Sequence, residues 1–259
     1  IARIFAKALG VEQEDIYEID AASYTGVDNI RELTESAMTL PFRSPYKVYI
    51  LDEVHMLSKS AFNAFLKGLE EPPKHVIYIL ATTELGKLPE TIISRCEVHN
   101  FKTPTVDTLA STVVAVAEKE GFSVAEDVAK VIALSGDGSF RDTLGSLQKV
   151  LDGTSGKKVT EEDVERVLGV PKLQTIEQLA QDVIAGKNVL PLIDELRKVY
   201  SDGKVVYDLY VEKLREQLRL HITDPAKKER VVKLLSKALE EYRHLRFVDP
   251  MVMLEVVTM

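Results

Sequence analysis

Cysteine is nearly absent: Cys96 is the only one among 259 residues. An internal disulfide is therefore impossible, and this usage fits a reducing, cytoplasmic compartment. No apolar run approaches the roughly 20 residues of a membrane span, and no basic-then-apolar signal segment opens the chain. The five histidines, His55, His75, His99, His221 and His244, are scattered. They have no ligand spacing among themselves or with Cys96, so none reads as a zinc ligand, and Cys96 reads as a packed small side chain. Nothing has the form of a Ser/His/Asp hydrolase arrangement. Internal repeats and low-complexity tracts are missing too. Positive charge is in deficit, with 33 Lys and Arg against 41 Asp and Glu, a net charge of -8. That excludes wholesale coating of nucleic acid. It leaves room for a local basic face, because phosphate attraction acts over about 10 Å at cellular salt.

What is present falls into three parts. At about 150 residues per domain the length gives two or three domains. Residues 16–21, 48–51 and 76–81 read as buried strands, and 98–101 as a fourth strand. Residues 1–9, 28–38 and 59–69 read as helices, the last stopped by Pro72-Pro73. Alternation of this kind specifies a mostly parallel α/β sheet. After Pro104 strands are no longer expected. Helical patterns cover residues 108–120, 124–135, 141–151 and 160–168, with Thr160 and Asp163 placed as a capping pair. Longer amphipathic helices follow at 174–185, 189–201, 205–221 and 226–247, and a last one from Pro250; the turn Thr223-Asp224-Pro225 breaks the series. The expected domains are therefore 1–103 (α/β), 104–170 (a small helical unit) and 171–259 (a helical bundle). The chain opens at Ile1, without Met and inside a helical pattern, so it reads as a fragment.

The chemistry centres on residues 46–56, YKVYILDEVHM. An apolar, β-rich run ends in two adjacent acids, Asp52 and Glu53. Acids at the C-terminal end of a buried strand stand in the crevice where α/β sheets bind ligands. This is the form of a Walker B strand, in which the Asp helps hold Mg²⁺ and the next acid can polarise an attacking water. The plainer alternative is a strand running into an acidic loop. Thr82 and Thr83 end the next strand, where a hydroxyl can reach a phosphate or simply cap. Arg95, after a short helix beginning near Leu88-Pro89-Glu90-Thr91, is either a surface charge or an arginine finger for a neighbouring subunit. Arg141 lies near a helix start, where a cation is unfavourable; a functional role competes with an ion pair to Asp142 or Asp137. The loop 23–26 leads into a helix whose free N–H groups around Val27, Asp28 and Asn29, with Arg31 one turn on, suit a DNA phosphate. Asp28 competes there as an ordinary cap. The helix 1–9 is of the kind that follows a phosphate-binding loop, and that loop is missing from the residues given.

Taken in order, Asp52-Glu53-Val54-His55-Met56-Leu57, FNAFLKGLEEPP at 62–73, LATT at 80–83 and SRC at 94–96 closely resemble the gamma/tau family of bacterial DNA polymerase III. These are the motor subunits of the clamp loader and members of the AAA+ ATPases. The resemblance is strong over about residues 1–151 and extends to the remainder in domain order. It implies an AAA+ α/β domain of the P-loop NTPase type, a helical lid and an all-α collar that packs into a ring, expected to be a pentamer. It implies ATP and Mg²⁺ as cofactors, with Asp52 serving the metal, Glu53 as catalytic base and Thr83 as a sensor of the γ-phosphate. Arg95 would be the trans-acting finger and Arg141 the arginine reaching ATP from the lid. Val27, Asp28, Asn29 and Arg31 would follow the DNA backbone. The implied task is to use ATP to load the sliding clamp on primer-template DNA, together with the other clamp-loader subunits. The family also carries a four-cysteine zinc module between the first helix and the next strand. Here Leu9-Gly10-Val11 runs straight into Glu12, so either the module is lacking or an insertion is omitted, and these residues are expected to hold no zinc. The alternatives are a non-hydrolysing delta-prime-like subunit, a ring scaffold, and a branch-migration motor; Asp52-Glu53 disfavours the first and SRC the last.

Overall fold

Val48, Tyr49, Ile50 and Leu51 are buried on both faces, as their unbroken apolar run demands. They lie in β2 (Lys47–Asp52), the middle strand of a three-stranded parallel sheet between β1 (Ile16–Asp20) and β3 (Val76–Leu80). This arrangement comes from a computed structural model, which describes residues 1–200, 203–221, 224–245 and 247–259. The chain divides into two compact units, Ile1–Phe101 and Lys102–Met259.

In the first unit the pleat sends alternate β2 side chains to opposite faces. Val48 and Ile50 pack with Val11 and with Ala6 of α1 (Ala2–Ala8). Tyr49 and Leu51 pack with Ile30 and Leu33 of α2 (Val27–Ala37) and with Phe62 and Phe65 of α3 (Lys59–Glu70). Ser58 caps α3 through the Ala61 N–H, and Pro72-Pro73 follows its end. The register sets Tyr17, Tyr49 and Tyr78 side by side across the sheet. The Tyr17 and Tyr49 rings stack at 4.9 Å, and Phe65 meets Tyr78 edge-on at 5.1 Å. Such ring pairs contribute about 0.5–1.5 kcal/mol beyond burial.

Two strand expectations need correction. β1 and β3 are half-buried rather than fully buried, because each is an edge with one neighbour. Residues 98–101 form no strand: Val98 and Phe101 are exposed, and among the described residues no strand pairs with them. A short helix, α4 (Glu90–Ile93), does precede Arg95.

The second unit is helical: α5 (Val106–Lys119), α6 (Glu126–Leu134), α7 (Phe140–Gly153), α8 (Glu161–Leu168), α9 (Leu173–Ala185), α10 (Leu190–Val199), α11 (Gly203–Leu220), α12 (Pro225–Glu241) and α13 (Pro250–Thr258). One apolar core runs from Leu109 in α5 to Val257 in α13. Strands do not end at Pro104: β4 (Ser123–Val124) pairs in parallel with β5 (Lys158–Val159), so α6 starts after Val124 rather than at it. Thr160 and Asp163 cap α8 reciprocally, with Asp163 N donating to Thr160 Oγ1 at 3.2 Å and Thr160 N to Asp163 Oδ2 at 3.1 Å. α12 stops at Glu241, short of the expected 247, and a 3₁₀ turn follows over Tyr242–His244. Ser201 and Thr223, part of two expected boundaries, lie outside the described residues. Among the described residues no helix is long and apolar enough to cross a membrane.

One buried acid holds the loop that leads into β2. Asp15 is fully buried and accepts the backbone N–H groups of Phe42 (2.5 Å), Arg43 (2.9 Å) and Ser44 (2.8 Å). Burial alone would raise its pKa; those three N–H groups and the Ser44 hydroxyl instead bring it down to about 2. Asp15→Ala leaves several partly buried donors without a partner and is expected to cost about 1–3 kcal/mol in denaturant unfolding. The folded value lies below the unfolded one. This stabilisation is therefore present above about pH 4 and disappears as pH falls through about 2.

Candidate active site

β2 delivers Asp52 and Glu53 to the C-terminal edge of the sheet, where Asp52 is exposed. Glu53 takes the left-handed conformation, φ 47° and ψ 42°. A non-glycine residue there costs on the order of 1–3 kcal/mol and needs surroundings that impose it. The neighbouring strand does so: Ala81 N donates to Leu51 O at 2.8 Å, and Val54 N donates to Ala81 O at 2.9 Å. The chain must therefore turn between those anchors. Glu53 N also donates to Asp52 Oδ1 at 3.0 Å, which fixes the two acids relative to each other.

β3 brings its end to the same place. Thr83 Oγ1 donates to Glu53 Oε2 at 3.3 Å. Asp52, Glu53 and Thr83, picked out separately in the sequence, thus converge. Three further side chains join them. His55 folds back on the 3₁₀ turn Val54–Met56 and places Nδ1 3.3 Å from Glu53 Oε2 and 3.0 Å from Thr82 Oγ1. Its Nε2 lies 3.6 Å from Glu84 Oε1. The Lys87 ammonium, 2.7 Å from Glu84, holds that carboxyl below the usual range, and His55 adds to the effect. A search for metal-ligand spacing passes over His55, since its partners are one carboxylate two residues back and groups about 30 residues on. The only sequence signal was its position in DEVH.

Asp52 keeps one carboxylate oxygen clear of the Glu53 N–H. An exposed lone carboxylate beside a strand end suits Mg²⁺, which takes one or two protein ligands alongside phosphate oxygens and water. Among the described residues no three His, Cys, Asp or Glu side chains converge as a metal cage. Cys96 packs against the core of the first unit, and burial pushes its thiol up, as expected of an inert side chain.

Arg95 and the start of α2 have other partners within the first unit. Arg95, just past α4, is engaged within its own chain. Its Nε and Nη2 donate to Glu70 Oε1 at 2.9 and 2.5 Å, and Nη1 donates to Thr91 O at 2.7 Å. Arg141 is exposed in the first turn of α7, in the second unit. The ion pair to Asp137 or Asp142 considered for it is not formed; Asp137 pairs with Lys204 at 2.7 Å. At the start of α2, Asp28 is not the cap. Gly26 holds that position, no side chain caps the helix, and Asp28 Oδ1 instead meets Arg31 Nη1 at 3.2 Å. The first-turn N–H groups near Val27, Asp28 and Asn29 are accordingly without a capping side chain.

A family profile described as DNA polymerase III, delta subunit, matches residues 7–105. Among curated proteins, the DNA polymerase III subunit tau of Bacillus subtilis is 39% identical over 224 residues, covering 78% of this chain and 39% of its own length. The gamma/tau subunit of Mycobacterium tuberculosis is 36% identical over 233 residues, covering 88% and 40%. The gamma subunit of Buchnera aphidicola subsp. Acyrthosiphon pisum is 37% identical, covering 78% and 55%. The chain thus spans only part of each of these relatives. Among solved structures, the Thermotoga maritima RuvB Holliday junction branch migration motor has a TM-score of 0.56 at 18% identity, covering 84% of this chain and 75% of that one. That likeness shows the fold, a parallel α/β sheet followed by helices. By sequence, over the part of those relatives that it spans, the chain is similar to the gamma and tau subunits of bacterial DNA polymerase III.

Proposed function

We propose that the chain is part of a clamp-loader motor subunit of the replicative polymerase, which uses ATP binding and hydrolysis to load the sliding clamp on primer-template DNA. The observation that carries this reading is the convergence of Asp52, Glu53 and Thr83 at the ends of two adjacent parallel strands, with Thr83 Oγ1 3.3 Å from Glu53. Bound ATP with Mg²⁺ would supply the phosphoryl group and neutralise its charge. Asp52 holds the cation. Glu53 accepts the proton of the attacking water, and Thr83 orients Glu53 and senses the γ-phosphate. Arg141, in the helical segment 104–170 taken as the lid, is the candidate for a further cation serving the nucleotide. Arg95 exchanges Glu70 for the phosphoryl oxygens of a nucleotide on a neighbouring subunit. Residues 171–259 serve as the collar that joins the subunits into a ring, expected to be a pentamer. Val27, Asp28 and Asn29 offer backbone N–H groups, and Arg31 a cation, to the DNA backbone; the uncapped start of α2 supports this. The compartment is the cytoplasm.

A second reading has one observation in its favour. The family profile over residues 7–105 is that of a delta subunit, which fits a delta-prime-like or scaffold subunit that does not hydrolyse ATP. Hydrolysis by the full-length subunit, assayed with and without clamp and primed DNA, separates the two. Stimulated turnover is expected. Nucleotide binding without turnover under every condition would support the second reading.

A further inference from the structure

His55 belongs to no role given above, yet its surroundings single it out. Its side chain is only 8% exposed, and it bridges the ends of β2 and β3. Nδ1 stands 3.3 Å from Glu53 Oε2 and 3.0 Å from Thr82 Oγ1, while Nε2 stands 3.6 Å from Glu84 Oε1. Thr82 is held in turn, since its Oγ1 accepts the Glu84 N–H at 3.0 Å. The ring is thus located by a hydroxyl that is itself fixed. A free glutamate side chain can sample many rotamers, and immobilising one costs conformational entropy. Here one oxygen of Glu53 receives both Thr83 Oγ1 and the approach of His55 Nδ1. Among the described residues no group donates to the other oxygen, Oε1, which is left to accept a proton.

We infer that His55 is a positioning residue for Glu53: its Nδ1 edge, anchored on Thr82, holds Oε2 and thereby presents Oε1 to the attacking water. The inference rests on the proposed role of Glu53 as base. His55 itself touches neither nucleotide nor water in this account; it acts through the carboxylate. With Nδ1 protonated, the ring donates toward Glu53 and Thr82 together. The plainer alternative is a buried histidine that merely ties two strand ends together, and the two ring edges distinguish these roles. Asparagine places an amide nitrogen near the position of Nδ1, and glutamine places one near Nε2.

The test is steady-state ATP hydrolysis by full-length His55→Ala, His55→Asn and His55→Gln, with Glu53→Gln alongside. His55→Ala is expected to lower kcat by about 10- to 100-fold, the scale of a mispositioned reacting group, with KM for ATP little changed. His55→Asn restores most of that loss and His55→Gln does not. Equal behaviour of Asn and Gln would overturn the inference. So would an unaltered kcat in His55→Ala while Glu53→Gln is inactive. The Asn–Gln comparison carries the test should the alanine variant fail to fold. Unchanged turnover in Glu53→Gln would remove the base itself, and the inference with it, which separates the two failures.

Discussion

Glu53→Gln in the full-length subunit is expected to bind ATP as the parent does and to lose turnover by about 10²- to 10⁴-fold, the usual contribution of a positioned general base. The substitution keeps the shape of the side chain and can still accept the Thr83 hydroxyl, now 3.3 Å away. It removes the negative charge and with it the basicity. The left-handed backbone at Glu53 is imposed by the Ala81 hydrogen bonds on either side, so an amide there meets the same backbone constraint. Asp52 stays in place to serve the cation. Equilibrium nucleotide binding and single-turnover hydrolysis, measured on one preparation, check both halves of the expectation. Turnover at the parental rate would remove Glu53 as the base.

Arg95→Ala carries the other large effect. A trans-acting arginine stabilises transition-state charge by 10³-fold or more in comparable phosphoryl-transfer sites, so a loss of about that size is expected. The loss should fall on the neighbouring subunit's site, and mixed rings of parent and variant subunits read this out. A defect confined to the variant's own nucleotide would contradict the trans assignment. Unfolding is not the expected cause. The Arg95 side chain is 33% exposed and Glu70 48% exposed, and ion pairs at that exposure stabilise by about 0–1 kcal/mol. The variant's thermal transition should therefore stay close to that of the parent. The Glu70 contact shows what the guanidinium already offers, a planar fork of donors that carboxylate and phosphoryl oxygens both match.

Much of this site was legible because it depends on local sequence. The apolar run of β2 is buried on both faces wherever helices cover a sheet, and acids placed just after it must emerge at the sheet's end. Thr83 follows β3 by the same logic. What could not be read depends on contacts distant in sequence. Asp15 looks like one acid among several in a Glu12–Asp15 run, and its burial arises only when residues 42–44 fold over it. Arg95 and Glu70 are 25 residues apart and meet because α4 approaches the end of α3. His55 has no metal-ligand spacing in the sequence, and its partners come from a tight 3₁₀ turn and from beyond the adjacent strand.

Errors had equally local causes. The segment 98–101 has the apolar composition of a strand, but a strand also needs a neighbour with free backbone groups, and none is paired with it here. The two-residue strands β4 and β5 are too short to register as a pattern. Asp28 has the residue type of a cap, yet the chain enters α2 two residues earlier than that role allows, with Gly26 at the cap position.

The most direct measurement uses an assembled ring in which every other hydrolysing subunit carries the substitution equivalent to Glu53→Gln. The one intact Asp52–Glu53 pair is then supplied by this subunit. Residual ATP turnover, stimulated by clamp and primed DNA and abolished by Glu53→Gln, is the predicted result. Turnover no higher than that of a ring lacking all such acids would contradict the account.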